Sequence, residues 1–140
     1  PLLQSTINAI NISSNPVLLS FSLPSLVSGD INIQGNDSIT SVSLTALTTS
    51  NDISIYNNAV LTTINLNAAT NLPATPFSIT LTGNALLQAS VSDILLKVDG
   101  WGVEGGGLYL DGGTNASPLG GVLNTNYVSL VGKGWEVIIN

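Results

Sequence analysis

Eight carboxylates carry most of the reactive chemistry this sequence could perform: Asp30, Asp37, Asp52, Asp93, Asp99, Glu104, Asp111 and Glu136. Two lysines join them, and there is no Arg, His, Cys or Met. Triads built on His or Cys and thiolate or imidazole metal cages are therefore unavailable. Hydrolysis by a pair of carboxylates remains open in principle, as does a calcium site, because hard oxygen ligands are plentiful. Asp30 and Asp52 are the pair to examine. Each opens a similar phrase, "DINIQGNDSITSVSL" and "DISIYNNAVLTTINL", and equivalent positions of stacked strands lie about 5 Å apart. Both also precede a strand, where Asp is favoured because it bonds its own backbone. That turn role is the expectation, with no catalytic and no metal-binding residue assigned.

A second candidate cluster, Asp99, Glu104 and Asp111, brackets the Gly-rich "DGWGVEGGG" (Asp99 to Gly107). It lacks the lysine and the preceding strand of a phosphate loop, so it reads as a helix-to-strand connection. Asn11, Asn36 and Asn115 each begin an Asn-X-Ser sequon, which matters only in a glycosylating host. No cofactor is predicted.

Composition narrows the partners. The net charge of −6 leaves no basic patch to neutralise phosphates, which excludes nucleic acid and disfavours anionic membranes. No apolar run approaches the roughly 18 residues needed to span a bilayer, so no membrane insertion is expected. Only 7% of residues are charged while 44% are hydrophobic, and Ser, Thr, Asn and Gly fill the remainder. Such a composition leans towards an extracellular, virion or cell-surface setting. The chain opens at Pro1 without a Met or a signal peptide, which suggests a fragment or processed product with more sequence before it.

What must position these side chains is a repeat. Asn15, Asn36, Asn58 and Asn84 recur at steps of 21, 22 and 26. An alternating apolar pair precedes each: Ile10 and Ile12, Ile31 and Ile33, Ile53 and Ile55, Ile79 and Leu81. Leu18, Ile39, Leu61 and Leu87 follow each Asn by three residues. Then come Phe21 and Leu23, Val42 and Leu44, Ile64 and Leu66, with Leu26 and Leu47 closing the first two phrases. Period two predicts short strands with Ile or Leu inward. One such strand cannot bury its apolar edge alone, so the copies must stack, and the recurrent Asn must satisfy the turn's backbone groups.

The phrase I-x-I-x-x-N-x-x-L-x-x-V-x-L-x-x-L, over roughly residues 5–88, resembles a leucine-rich repeat of the receptor-L-domain-like variety. The resemblance implies a mainly β fold: a right-handed LRR-like β-solenoid of about six coils, with two short helices in a C-terminal capping region. Residues 1–88 would be the repeats and residues 89–140 the cap. The ending "LDGGTNASP…LVGKGWEVIIN" is similar to C-terminal ends of such proteins from tailed phages and marine bacteria.

Within the cap, Val91, Ile94, Leu95 and Val98 sit at helical spacing, with Ser90 or Ser92 as N-cap and Gly100 as stop. Leu108 and Leu110 mark a strand. Ser117-Pro118 predicts the start of a second helix with Val122, Leu123, Tyr127 and Leu130 on its apolar face, ended by Gly132 and Gly134. "WEVII" predicts a last strand.

Counting outward positions by twos gives Asn11 and Ser13, Asn32 and Gln34, Ser54 and Tyr56, Thr80 and Thr82, Tyr109 and Asp111, then Glu136. Gln34, Tyr56, Thr80, Thr82 and Tyr109 are the candidate binding residues, since Tyr offers a flat apolar face with a polar tip. Ice binding fits poorly, because only one outward pair is Thr-Thr. The expected function is a non-enzymatic module of a phage virion or bacterial surface structure, for adhesion or recognition of a protein or surface glycan. The alternative is a purely structural, self-assembling or decoration subunit of a virion or fibre, binding copies of itself.

Overall fold

The computed structural model of the chain describes residues 3–5, 8–66 and 77–140. Residues 1, 2, 6, 7 and 67–76 lie outside the described residues. Seven strands come first: β1 (Ile10–Ser13), β2 (Ser20–Ser22), β3 (Ile31–Gln34), β4 (Ser41–Leu44), β5 (Asp52–Tyr56), β6 (Thr63–Leu66) and β7 (Ser78–Thr80). Helix α1 (Gln88–Gly100), β8 (Gly106–Tyr109), a 3-10 turn (Gly121–Leu123), α2 (Thr125–Gly132) and β9 (Trp135–Ile138) follow.

Two parallel sheets result. One holds six strands in the order β1-β3-β5-β7-β8-β9, the other three in the order β2-β4-β6. Register follows the repeat: Ile10 pairs with Ile31, Ile31 with Ile53, Ile53 with Ile79 and Ile79 with Leu108. Each of those side chains meets the core, and Ile31, Ile33, Ile55, Ile79 and Leu108 are fully buried. In the smaller sheet Val42 pairs with Ile64 and Leu44 with Leu66, closing the apolar layer from the other side.

The expected mainly β, right-handed LRR-like β-solenoid of about six coils is corrected by this arrangement. The chain is a mixed α/β fold, with parallel sheets of six and three strands and two helices. The second sheet stops at β6 because α1 packs against that strand in place of a fourth. A helix with its side chains is about 10 Å across, twice the spacing of neighbouring strands, so no strand fits beyond it. Val91, Ile94, Leu95 and Val98 are all buried in the shared core, which makes α1 a layer of the fold.

Local details around the helices differ from the sequence prediction too. Leu87 is 56% exposed and Leu86, one residue earlier, takes the buried place. Helix α1 begins at Gln88 with no side-chain cap. The two serines expected to cap it bond elsewhere: Ser90 Oγ accepts from the Ile64 N–H of β6, and Ser92 Oγ accepts from the Leu119 N–H. Helix α2 starts well past Ser117-Pro118, capped by Asn124, whose Oδ1 accepts from the N–H groups of Asn126 and Tyr127. Val122 and Leu123 consequently precede the helix and are exposed, whereas Leu130 is buried as expected. Gly120 and Gly121, both left-handed, hold the chain in the 3-10 turn that delays it.

Candidate binding face

The buried asparagines set the sheet that carries the face. Asn36 and Asn58 each accept two hydrogen bonds at Oδ1, from the N–H and the Nδ2 of the preceding ladder Asn, at 3.0–3.2 Å. Asn84 does the same for Asn58. Their Nδ2 groups donate to main-chain carbonyls, Asn58 to Ile33 and Tyr56, Asn84 to Ile55 and Leu81. A fourth buried Asn went unread in the sequence. Asn115 donates to the Leu81 and Leu110 carbonyls and accepts from the Leu86 N–H. Its equivalents follow the second apolar residue of the pair by three positions, but Asn115 follows Leu110 by five. The Asp111-Gly112-Gly113 turn inserts the difference, and left-handed Gly112 and Gly113 make it possible.

With the core side thus fixed, the opposite face of the six-stranded sheet forms rows. Asn11, Asn32, Ser54, Thr80 and Tyr109 lie side by side on β1, β3, β5, β7 and β8. Ser13, Gln34 and Tyr56 form a second row, one outward position further along. The sheet thus places Gln34 beside Tyr56, and Thr80 beside Tyr109. Thr82 lies just beyond β7, where its carbonyl accepts from the Asn57 N–H. The two tyrosines stand in different rows and about two strand spacings apart, roughly 10 Å across the sheet. They are two points on one face, not one cluster.

Glu136 falls in a third row. It pairs with Gly107, whose other neighbour is Ser78, while Tyr109 pairs with Ile138. The Tyr109 ring nonetheless reaches back over Gly107, and its hydroxyl donates to Glu136 Oε2 at 2.7 Å. A Cβ on Gly107 would come within 2.7 Å of the ring, so only Gly leaves room for this pose. The hydrogen bond to Glu136 pushes the Tyr109 phenol above its ordinary pKa, with desolvation and the Glu136 charge adding to it. Below this pair opens a shallow cleft of about 440 Å³, lined by Phe77, Ser78, Gly106, Gly107, Tyr109 and Glu136. Phe77 is packed edge-on against Trp101 and Trp135, which fixes the cleft's inner wall. The run of three glycines before Leu108 was the available sign of a bare patch on this sheet.

The carboxylates singled out by spacing have internal work. Asp30 Oδ1 accepts from the Asn51 and Asp52 N–H groups and from Ser50 Oγ, and Asp52 Oδ2 accepts from Ser54 Oγ. Asp99 is tied to Lys133 at 2.7 Å and to Ser129, rather than to Glu104 or Asp111. Among the described residues no three or more His, Cys, Asp or Glu gather as a metal site would require. No described helix is long and apolar enough to cross a membrane. Comparison with protein-family models, with curated proteins and with solved structures found no match.

Proposed function

We propose that the chain is a non-enzymatic recognition module of an extracellular, virion or cell-surface structure, binding a neutral glycan or a polar protein loop through the outward face of its six-stranded sheet. The observation that carries this is the Tyr109–Glu136 pair over Gly107. A ring already held by a hydrogen bond loses little freedom when a sugar stacks on it, and the adjoining carboxylate accepts hydroxyl hydrogens. Gln34 and Tyr56, side by side on β3 and β5, extend the surface with amide and phenol groups. Thr80 and Thr82 supply hydroxyls between the two tyrosines. The resemblance of the repeat phrase to leucine-rich repeats, which commonly bind through exposed strands, supports the same reading.

The test is binding of the labelled chain to a surface-polysaccharide array and to bacterial cells. Tyr109→Ala is expected to weaken binding at least tenfold, Tyr56→Ala less, and the double variant to abolish it. Binding unchanged in the double variant, or none by the wild type, overturns the reading.

A further inference from the structure

The helices that stand in for the second sheet leave an apolar face uncovered. On α1 the buried residues are Ser90, Val91, Ile94, Leu95 and Val98, so the stripe through Ala89, Asp93 and Leu96 points away from the core. The chain that leads into α2 is tied to this side of α1: the Leu119 N–H donates to Ser92 Oγ, and the Leu119 carbonyl accepts from Asn124 Nδ2. Helix α2 then runs beside α1, joined at its far end through Ser129 and Lys133 to Asp99. Leu130 takes the inward side of α2. Left outside are Leu96, Leu119, Val122, Leu123, Val128 and Val131, from 48% exposed at Val131 to 81% at Leu123.

The size of this face and its charge both say what fits it. At about 110 Å² for a whole Leu or Val side chain, the six expose on the order of 400 Å² of apolar surface. One side of a standard stable interface hides about 800 Å², a little over half of it apolar, so the face supplies nearly the apolar area that such a pairing needs. Residues 112–132 carry no charge in a chain of net charge −6, so a second copy meets no carboxylate of this segment as it approaches. The charges at the rim are Asp93 and Lys97, one turn apart on α1 and on the flank of Leu96 away from Ser92 and Asp99. Neither has an ion-pair partner among the described residues. When two α1 helices lie antiparallel about a two-fold axis level with Leu95, Asp93 of each copy faces Lys97 of the other. A different protein would have to bring that complement, whereas this chain already carries it.

We infer that the helical face is covered by the same face of a second copy of this chain, with the α1 helices antiparallel, the apolar side chains between them and two Asp93–Lys97 pairs at the rim. The contact is isologous, so it closes at two chains. Helix α1 continues the layer of the smaller sheet, across the core from the outward face of the larger one. The pairing therefore leaves that face free on both copies and is independent of the recognition role proposed for it.

Sedimentation velocity of the purified chain across a wide concentration range is the test. The wild type is expected to pass from one chain to two and to grow no further. Leu96→Asp, at an exposed position, is expected to weaken the association at least tenfold while circular dichroism stays unchanged. Asp93→Lys and Lys97→Glu each set like charges against one another across the axis, and each is expected to weaken it as well. Mixed in equal amounts, these two variants regain opposite charges at both pairs and are expected to form a two-chain species more tightly than either does alone. The mixture keeps the test decisive should Leu96→Asp disturb folding. A wild type that stays monomeric at every concentration overturns the inference and leaves the face to a different protein. Growth past two chains, association untouched by Leu96→Asp, or a mixture no tighter than its components overturns it too.

Discussion

Asn58 and Asn115 are both buried and both bond main-chain carbonyls, but they sit in differently built parts of the molecule. From β1 to β7 successive asparagines bond one another, side chain to side chain, and a second sheet closes the core. After Leu86 the chain meets the same demand piecemeal. The Asn115 side chain bonds only main-chain groups, Ser90 satisfies the edge of β6, Ser92 receives the Leu119 N–H, and helices replace the second sheet. A short repeating phrase can be self-supporting when each copy presents its neighbour with the same groups. Where the repeat ends, every orphaned backbone group must find its own partner.

The comparison breaks most readily at Asn58. Replacing it with Ala removes two acceptor and three donor contacts at a fully buried site. Each buried group left unpaired costs about 1–3 kcal/mol, so a loss of about 4 kcal/mol is expected by urea unfolding. In a double-mutant cycle Asn36→Ala should couple to Asn58→Ala, because they share the Asn58 Oδ1 contacts, whereas Asn115→Ala should not. Equal coupling in both cycles would remove the distinction between linked and separate asparagines.

The same contrast explains what could be read from the chain. Alternating Ile and Leu before an Asn depends only on near neighbours and on the next copy, which carries identical groups. Pairs such as Ile31 with Ile53 were therefore legible. The helical region was legible in its apolar spacing, since Val91, Ile94, Leu95 and Val98 all became core. Its boundaries were not. Ser90 and Ser92 have the right type for a cap, but their hydroxyls accept from Ile64 and Leu119, partners 26 and 27 residues away. Asn115 was hidden by a three-residue turn. The fold class was misjudged because the repeat counts strands well and says nothing of how much room a helix takes beside β6. On the outward face, the types of Tyr56 and Tyr109 could be read, whereas the reach of Tyr109 over Gly107 to a different row could not.

A smaller effect sharpens the point at which one region gives way to the other. The repeat phrase assigns the buried apolar place to Leu87, but the structure gives it to Leu86. Leu86→Ala should cost about 3 kcal/mol, the usual penalty for an emptied leucine site. Leu87→Ala, at an exposed position, should change stability by under about 0.5 kcal/mol. Thermal or urea unfolding of the two variants decides it, and reversed magnitudes would place the repeat's register one residue further along.

The smallest effect concerns charge, which the repeat half scarcely uses to hold itself together. Asp99 lies in the last turn of α1, where a carboxylate is disfavoured by the helix dipole. Its Oδ1 accepts from Ser129 Oγ of α2 and from Lys133 Nζ, both at 2.7 Å, and so ties the ends of the two helices together. Burial pushes the carboxyl up, but the hydrogen bonds from Lys133 and Ser129 and the Lys133 charge outweigh it, leaving the pKa below the ordinary value. A carboxyl lowered by folding stabilises the native state above its unfolded pKa, near 3.9, and loses that contribution as pH falls through the lower folded value. Asp99→Asn should therefore cost about 1 kcal/mol at pH 7, a figure kept small because the pair is partly exposed. The gap between wild type and variant should narrow steadily below about pH 4. Salt should narrow it at pH 7 as well, by screening the Lys133 charge. A gap that stays constant between pH 7 and pH 2 would mean that Asp99 acts through shape and not charge, and the two helices would then be joined, like the sheets, by packing and neutral hydrogen bonds.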